Sequence, residues 1–203
     1  EETIDAWEAA AALGGAIASP CPYVIADAET LGPVKINCDL EISGNAEVTL
    51  AGMVWVRGNV VIKNNAIVRV APALGGKSIA IIADNPSNRQ SASTAKIDNN
   101  AVFLGAGGES SYVFIVSRNE SASSGGSVRA IEIANQTDAK DILVYAPKGE
   151  ILLQNNAALR EVTAYRIHIK NNALVVYKTG LANLLFDAGP SGGYDILGWK
   201  EVE

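Results

Sequence analysis

The feature that most constrains the fold of this chain is a corner motif, Asn-Asn-Ala, which follows an alternating apolar run four times. The paired asparagines are Asn64 and Asn65, Asn99 and Asn100, Asn155 and Asn156, and Asn171 and Asn172. With two weaker copies at Asn45 and Asn135, the second asparagines are spaced 20, 35, 35, 21 and 16 residues apart. Such a period, with strands of two-residue alternation beside a turn, is typical of stacked coils. The sequence therefore predicts an all-β, right-handed parallel β-helix (β-solenoid), its hand following the preference of parallel crossovers.

The repeated asparagines have a structural explanation that involves no ligand. Asparagine tolerates left-handed backbone angles better than other non-glycine residues, so it can turn the chain between two strands. Where equivalent corners stack about 4.8 Å apart, inward-facing amides can hydrogen-bond from coil to coil as a ladder. The alanine that follows would then fit a tight corner of the core. We therefore expect the motif to be a folding device.

The first segment is predicted to form a helix over residues 3–13 that covers one end of the solenoid as a capping lid. Asp5 followed by Glu8 resembles a capping box, and an alanine-rich run continues the helix. Gly14 and Gly15 are expected to stop it. A remnant of a linker is the alternative interpretation of this segment.

The two steps of 35 residues are open to two interpretations: two coils each, or one coil with a surface insertion. Residues 84–94 and 117–127 are polar and lack apolar periodicity, so both are predicted to be loops. An apolar run precedes each loop, at residues 78–82 and 112–116, and is predicted to be a strand. Two coils per step, with a loop projecting from one, is the favoured interpretation. If both loops leave the same side, partners are expected to bind there.

The length of 203 residues suits a single domain, 1–203, with coils over residues 30–186 and a C-terminal closing segment over residues 187–203. Because no run of about 18 apolar residues occurs, no transmembrane helix is predicted. The acidic start lacks the basic region of a signal peptide, and the first residue is not Met. We therefore expect a mature or excised piece of a longer precursor.

Charge is unevenly distributed along the chain, which has a net charge of −6. Residues 1–50 contain nine acids and one lysine, whereas residues 140–178 contain six Lys or Arg and three acids. The acidic total argues against general binding of duplex nucleic acid, which depends on neutralising phosphates. The basic stretch favours an acidic ligand only weakly, since a solvated face of mixed charge is the plainer interpretation.

Two cysteines, Cys21 and Cys38, lie 17 residues apart, which is about one coil. No Cys-x-x-Cys pair or histidine cluster accompanies them, so a zinc site is not predicted. A disulfide is the favoured interpretation, and it would place the protein outside the reducing cytoplasm. Two buried free thiols are the alternative.

Signals for chemistry are few, and no catalytic, cofactor or metal site is predicted. The single histidine, His168, lies between Ile167 and Ile169, which the alternation predicts to face inward. His168 should therefore point outward with Arg166 and Lys170, and these three residues form a weak candidate ligand face. A surface histidine without a role is the plainer interpretation, because no partner for proton transfer is identifiable.

Clustered carboxylates would instead indicate a polysaccharide-cleaving β-helix. The acidic candidates share no common phase in the repeat; they are Asp84, Asp98, Glu109, Asp138 and Asp141. A calcium ladder is not expected, because the residue before the asparagine pair varies. An outward aromatic such as Trp55 could stack on a sugar, although aromatic side chains in β proteins more often pair strands or fill the core.

Several motifs together resemble a known family, the C-terminal β-solenoid domain of bacterial type IV pilin-like, PilX-related surface proteins. The motifs are the helix from Trp7 to Gly15, TLGPVKI at 30–36, VWVRGN at 54–59, YAPKG at 145–149, EVTAY at 161–165 and GGYDILGWKE at 192–201, with the Asn-Asn-Ala coils between them. The resemblance covers nearly the whole chain. The chain departs from pilins in lacking the long hydrophobic helix by which a pilin enters its filament.

The resemblance implies a non-enzymatic module displayed on the bacterial cell surface, and it brings no catalytic motif. In some relatives the solenoid is suspected of contacting DNA or other extracellular ligands. We therefore expect an extracellular structural or adhesive module whose partners are sister subunits, other pilus or surface proteins, polysaccharide or DNA. The alternatives are a self-assembling filament subunit and a polysaccharide-binding or polysaccharide-cleaving β-helix protein.

Overall fold

The computed structural model of the protein describes residues 2–107, 110–135, 138–175 and 185–186. One α-helix, α1 (Glu2–Leu13), precedes a long series of strands. Every strand pairing among the described residues is parallel. The fold is therefore all-β and β-helix-like with a single N-terminal helix, which confirms the predicted class at that level.

The strands form three columns, because each of the first twelve strands pairs with the third strand after it along the chain. Column one contains β1 (Ala16–Ile17), β4 (Val34–Ile36), β7 (Val54–Val56), β10 (Lys77–Ala83) and β13 (Val113–Ser117). Column two contains β2 (Tyr23–Ile25), β5 (Leu40–Ile42), β8 (Val60–Ile62), β11 (Ala95–Ile97) and β14 (Arg129–Ile133). Column three contains β3 (Glu29–Leu31), β6 (Glu47–Leu50), β9 (Ile67–Val70), β12 (Val102–Leu104) and β17 (Leu174–Val175).

The remaining elements join these columns or lie beside them. The long strands β15 (Asp138–Leu153) and β16 (Ala158–Ile169) each contribute to all three columns. The short strand β18 (Leu185–Phe186) pairs with the first two residues of β10. Two single-turn 3₁₀ helices, η1 (Pro72–Leu74) and η2 (Ala122–Ser124), lie in connections. One passage through the three columns is called a coil below.

The core consists of the alternate residues of each strand, stacked in register from coil to coil. In column two, Ile25, Ile42, Ile62, Ile97 and Ile133 are paired in succession and all are buried. The residue between two such aliphatic positions points outward, as the two-residue alternation requires. Burial of a continuous ladder of branched aliphatic side chains is the main favourable term in such a fold.

Each 35-residue step is one coil with insertions, so the predicted two coils per step are wrong. Ile97 pairs directly with Ile62 below it and with Ile133 above it, which leaves no room for an intervening coil. The apolar runs at 78–82 and 112–116 are the column-one strands of these same coils. The extra length lies at the corners, above all in the two loops.

Helix α1 is present as predicted, but it lies along the outside of column one and does not cap an end. Its buried residues Ile4, Trp7 and Ala11 form a second apolar cluster with outward residues of column one that include Met53 and Ile82. The helix packs there because its apolar face is complementary to the outer face of column one, which is also apolar at this point.

The two ends of α1 show how far the capping prediction holds. Asp5 and Glu8 lie inside the helix, so they do not form the predicted capping box. The helix stops at Gly14 and Gly15 as predicted. A Cβ atom on Gly14 would lie 1.8 Å from the carbonyl oxygen of Pro33, so only glycine fits at this position.

The two ends of the columns differ in polarity. At the first coil, Tyr23 Oη donates to Glu29 Oε1 over 2.5 Å, and this hydrogen bond raises the pKa of Tyr23 to about 12. At the last described coil, Ile167 and Ile169 are in register with buried residues of the coil before, yet they are 41% and 53% exposed. The register agrees with the predicted inward phase of these two isoleucines, and among the described residues no column-two strand stacks above them. The predicted closing segment, 187–203, lies outside the described residues.

Candidate ligand-binding groove beside the inserted loops

The asparagine corner, where column two passes to column three, contains the repeated motif. All eight paired asparagines have left-handed backbones, with φ between 50° and 64°. The alanines after the first three pairs, Ala66, Ala101 and Ala157, are fully buried. A turn built from two left-handed residues is why asparagine recurs here, since other non-glycine residues pay a steric penalty in that conformation.

The asparagine side chains form a ladder on the outside of the corner, whereas an inward ladder was predicted. Each Nδ2 donates to the Oδ1 of the previous coil: Asn171 to Asn155 (2.9 Å), Asn155 to Asn135 (2.9 Å), Asn135 to Asn99 (3.4 Å) and Asn99 to Asn64 (3.1 Å). These side chains are exposed or half-buried. The inward space is occupied by the alanine, which leaves the amides on the surface.

The loop corner, where column one passes to column two, is covalently closed in the first two coils. Cys21 and Cys38 form a disulfide there, with their Cα atoms 5.8 Å apart, as the sequence predicts. Both cysteines lie just before a column-two strand, so the bond joins adjacent coils at equivalent positions.

Two coils later, the same corner carries both polar loops, 84–94 and 117–127, one directly above the other. Asn119 Nδ2 donates to the Ala92 carbonyl oxygen over 2.7 Å, and Ser117 Oγ donates to the Ser93 carbonyl oxygen over 2.5 Å. Ser93, Ser117 and Asn119 are fully buried. Buried polar groups with satisfied hydrogen bonds fix one arrangement, so these loops hold each other in place.

A carboxylate–guanidinium cluster connects the loops to α1. Asp84, fully buried, accepts two hydrogen bonds of 2.7 Å from Arg89. Arg118 lies 3.5 Å from Asp84 and 3.4 Å from Glu8, and it also donates to Asp5. Sequence reasoning missed this cluster, because Arg118 is 113 residues from Asp5 and 110 residues from Glu8 along the chain.

The protonation of Glu8 is perturbed in this cluster. Burial and then the nearby Asp84 carboxylate raise the pKa of Glu8 to about 7, against the smaller lowering effect of Arg118. The hydrogen bond from Arg89 to Asp84 raises the pKa of Arg89. These carboxylates are buried and bound by guanidinium groups, so the cluster is suited to holding α1 against the loops and not to acid–base work on a substrate.

A groove of about 390 Å³ lies beside the loops, on the outer face of column two. The last residues of both loops line one side of it. Its hydroxyl and amide side chains belong to Asn59, Ser91, Thr94 and Ser127, and its charged side chains to Lys96, Arg129 and Glu132. Lys96 and Glu132 are paired outward residues of adjacent coils, so the groove runs across two coils.

The two cations in the groove are only loosely paired. The side chains of Lys96 and Arg129 are 53% and 40% exposed. Lys96 Nζ lies 4.0 Å from Asp98, and Arg129 lies 3.4 Å from Glu132 and 3.9 Å from Glu150. Such distances are at or beyond the limit of a good hydrogen bond, so the groove retains capacity to bind an anionic ligand.

The predicted ligand face is organised by Glu150, which sequence reasoning missed. Arg166 lies 3.0 Å and His168 Nδ1 3.1 Å from the largely buried Glu150 carboxylate. Lys170 is exposed on the same edge. The 16-residue step between the last two asparagine pairs could have found this contact, since it pairs Glu150 with Arg166.

The remaining sequence candidates do not converge on one face. Asp98 Oδ1 accepts from Asn135 over 2.6 Å, and Asp141 lies 3.6 Å from Arg160. Glu109 and the side chain of Asp138 lie outside what the structure describes. Trp55 is no exposed platform: Lys35 Nζ lies 4.4 Å from its ring centroid, and its indole nitrogen donates to the Asp84 carbonyl oxygen over 3.1 Å.

Within the described residues, no group of three His, Cys, Asp or Glu side chains is arranged to hold a metal ion. In the same part of the chain, no helix combines the length and apolar character that crossing a membrane requires. Compared with known proteins, the chain matches no family model, no curated protein and no solved structure.

Proposed function

We propose that this chain is a right-handed parallel β-solenoid that serves as a non-enzymatic structural and adhesive module, with the outer face of column two as its binding face. The observation that carries the proposal is the position of the two loops. Both leave the same corner of adjacent coils, hold each other through buried hydrogen bonds, and border a polar groove. Loops fixed on a rigid scaffold are where binding sites commonly lie.

The proposed location is the bacterial cell surface, as part of a type IV pilin-like, PilX-related protein. The disulfide between Cys21 and Cys38 supports an oxidising compartment, because cytoplasmic thiols are kept reduced. The assignment to pilin-like proteins rests on the motifs of the sequence, among them the helix that ends in Gly14 and Gly15 and the repeated asparagine corners.

The mechanism of such a module is geometric. Stacked coils repeat about every 4.8 Å, so outward side chains of one column form a regular row along the stack. A polymer with its own repeat can contact several coils at once, and the linked contacts add avidity without any single tight site. The cluster at Asp84 keeps α1 and both loops fixed against the columns, so little freedom is lost on binding.

The non-enzymatic part of the proposal is supported by the state of the acidic residues. A polysaccharide-cleaving β-helix needs accessible carboxylates that converge on the substrate. Among the described residues, the carboxylates of Asp5, Glu8 and Asp84 converge, and Arg118 contacts all three. Asp5 and Glu8 belong to α1 itself, and none of the three carboxylates lines the groove.

Binding of the chain to a glycan array and to DNA, at low and at physiological salt, tests the proposal. We expect retention of at least one class of extracellular polysaccharide at physiological salt. The disulfide-reduced protein serves as a control for fold integrity. Absence of binding to every polymer would contradict the adhesive role and leave a rigid spacer.

A second candidate function, a self-assembling filament subunit, is favoured by the exposed isoleucines Ile167 and Ile169 at the last described coil. Their inward register makes them suited to a further coil stacked above them. Residues 1–50 contain nine acids and one lysine, whereas residues 140–178 contain six Lys or Arg and three acids, so the first coils and the last described coils carry opposite charge. Size-exclusion chromatography and negative-stain imaging test this candidate, and a monomer at all concentrations would exclude it.

A further inference from the structure

We propose that the groove beside the loops binds a carboxylate-bearing sugar, such as a uronic acid residue of an acidic polysaccharide. This inference rests on the proposed adhesive function and names the ligand class of its binding face. The groove volume of about 390 Å³ lies within the range of small-ligand sites. Its lining combines two cations with hydroxyl and amide groups, the two kinds of partner that such a sugar requires, and it includes one carboxylate, Glu132.

The carboxylates of Asp98 and Glu150, near the groove, are held more closely by other groups than by the groove cations. Asp98 accepts from Asn135 over 2.6 Å but lies 4.0 Å from Lys96. Glu150 lies 3.0 Å from Arg166 but 3.9 Å from Arg129. Lys96 and Arg129 therefore keep hydrogen-bonding capacity for an external carboxylate.

Glu132 is the closest anion to the groove cations, and its two oxygens are shared. Its Oε1 accepts from Gln154 over 3.1 Å, whereas its Oε2 is 3.4 Å from Arg129. A guanidinium group has five N–H donors and binds carboxylates best through two parallel hydrogen bonds. One long hydrogen bond to Glu132 and a 3.9 Å ion pair with Glu150 leave most of the Arg129 donors available.

The uncharged polar side chains that line the groove are suited to hydrogen bonds with sugar hydroxyls. Asn59 Oδ1 accepts from Thr94 through its backbone N–H over 3.2 Å and its Oγ1 over 2.9 Å. These bonds orient the Asn59 amide, whose nitrogen has no hydrogen-bond partner among the described residues and can donate to a ligand. Ser91 and Ser127 line the same groove with hydroxyls that both donate and accept.

The charge of the whole molecule favours a polymer whose negative charges are widely spaced over one whose negative charges are closely spaced. Nucleic acid carries a charge on every phosphate and requires many cations along its path. The groove offers two, Lys96 and Arg129, on a chain with a net charge of −6. An acidic polysaccharide, whose charges are separated by neutral ring and hydroxyl groups, fits this distribution better.

The experiment compares two forms of one probe by isothermal titration calorimetry: oligogalacturonate, and the same oligomer with its carboxylates methyl-esterified. We expect the full chain to bind the acid form and to bind the ester at least about tenfold more weakly, as loss of a charged hydrogen bond predicts. Arg129→Ala and Lys96→Ala should each weaken binding of the acid form by about tenfold, and Arg129→Lys by less.

The matched control is Lys63→Ala. Lys63 lies on the same side of the solenoid outside the groove, where its Nζ is 3.1 Å from Glu41. We expect this variant to bind the acid form as the unchanged chain does. Melting temperatures of all variants establish that each is folded, which is expected since Lys63, Lys96 and Arg129 are partly exposed.

Three results would overturn the inference. These are equal binding of acid and ester, an equal loss in Lys63→Ala, and displacement of the acid oligomer by DNA at physiological salt. If the chain binds a polymer on the array but Arg129→Ala and Lys96→Ala leave that binding unchanged, the adhesive function stands and this groove is not its site. If no polymer binds, the adhesive function fails as well.

Discussion

The loop corner and the asparagine corner lie on either side of column two. They turn the chain by different means, one irregular and one repeated. At the asparagine corner a four-residue turn repeats with the same left-handed backbone and the same amide ladder. At the loop corner each coil has its own solution, from the disulfide at Cys21 and Cys38 to the loops at 84–94 and 117–127. The repeated asparagine corner serves folding, because every coil needs the same turn. The loop corner differs from coil to coil, so its residues are free to acquire a function.

The energetic character of the two corners differs as well. The asparagine ladder lies on the surface, where each hydrogen bond competes with water and contributes little alone. The loop corner buries charge at Asp84 and compensates it with Arg89 and Arg118. Single substitutions should therefore have large effects at the loop corner and small, cumulative effects at the asparagine corner.

The largest effect is expected from Arg89→Ala. This change removes both 2.7 Å hydrogen bonds to Asp84, a fully buried carboxylate, and leaves Arg118 at 3.5 Å as its nearest cation. Loss of one partner of a buried pair lowers the free energy of unfolding by about 3–5 kcal/mol. Urea denaturation followed by circular dichroism measures the loss.

Lys148→Ala is the control for that substitution at the same corner. Its Nζ lies 3.0 Å from Glu120, and both side chains are partly exposed. An exposed ion pair contributes up to about 1 kcal/mol, so this variant should remain near the stability of the unchanged chain. If Arg89→Ala cost no more than Lys148→Ala, the buried cluster would not be what fixes the loops.

The pH dependence of stability gives a second, smaller effect at the loop corner. The pKa of Glu8 rises from an ordinary value of 4.5 to about 7 in the folded chain. Between these values the folded state binds more protons than the unfolded state, so the free energy of unfolding falls as pH rises. The stabilisation is fully present below pH 4.5 and is lost as pH rises through about 7, a change of about 3 kcal/mol that solvent screening reduces to about 2 kcal/mol.

Thermal unfolding of the unchanged chain and of Glu8→Gln between pH 4.5 and 8 measures this slope. Glutamine keeps the shape of the protonated acid and does not titrate, so the variant should show a flatter profile and gain stability relative to the unchanged chain above pH 7. Burial also raises the pKa of Glu161, which adds a slope of the same sign to both proteins. Identical slopes in the two proteins would show that Glu8 is ionised in the folded chain.

A structural feature can be predicted from the sequence when it depends on neighbouring residues or on the coil period. The strand alternation, the asparagine corners and the disulfide follow from nearest neighbours or from the coil period, and the structure contains each of them. The position of α1 does not follow, because a lid and a side helix need the same apolar stripe. What decides between them is the apolar outer face around Met53 and Ile82, which appears only once the columns are aligned.

In the candidate site, too, features that depend on neighbouring residues are predictable, and features that depend on the alignment of the columns are not. The loops 84–94 and 117–127 are visible as polar stretches, but their stacking depends on each 35-residue step being one coil, which the repeat alone leaves open. Lys96 and Arg129 are brought to one groove by that stacking. The contact between Glu150 and Arg166 is intermediate, because the 16-residue step predicts it once the last two corners are taken as equivalent.

The smallest effect is expected at the asparagine corner, from Asn99→Ala. Asn99 has φ of 52°, donates to Asn64 and accepts from Asn135. Alanine is strained in that conformation and makes neither side-chain bond, so the free energy of unfolding should fall by about 1–2 kcal/mol. Asn99→Gly restores the backbone freedom and loses the bonds alone, which separates strain from the ladder.

Glycine should recover more than half of the loss if the left-handed turn is the main reason for asparagine, because exposed hydrogen bonds contribute little against water. Urea denaturation of the two variants under the same conditions gives the ratio. If alanine and glycine were equally destabilising, the ladder itself would be the stabilising feature, and the corner would depend on cooperation between coils. Ser87→Ala, an exposed change in the loop 84–94, should leave stability unchanged and sets the baseline for both.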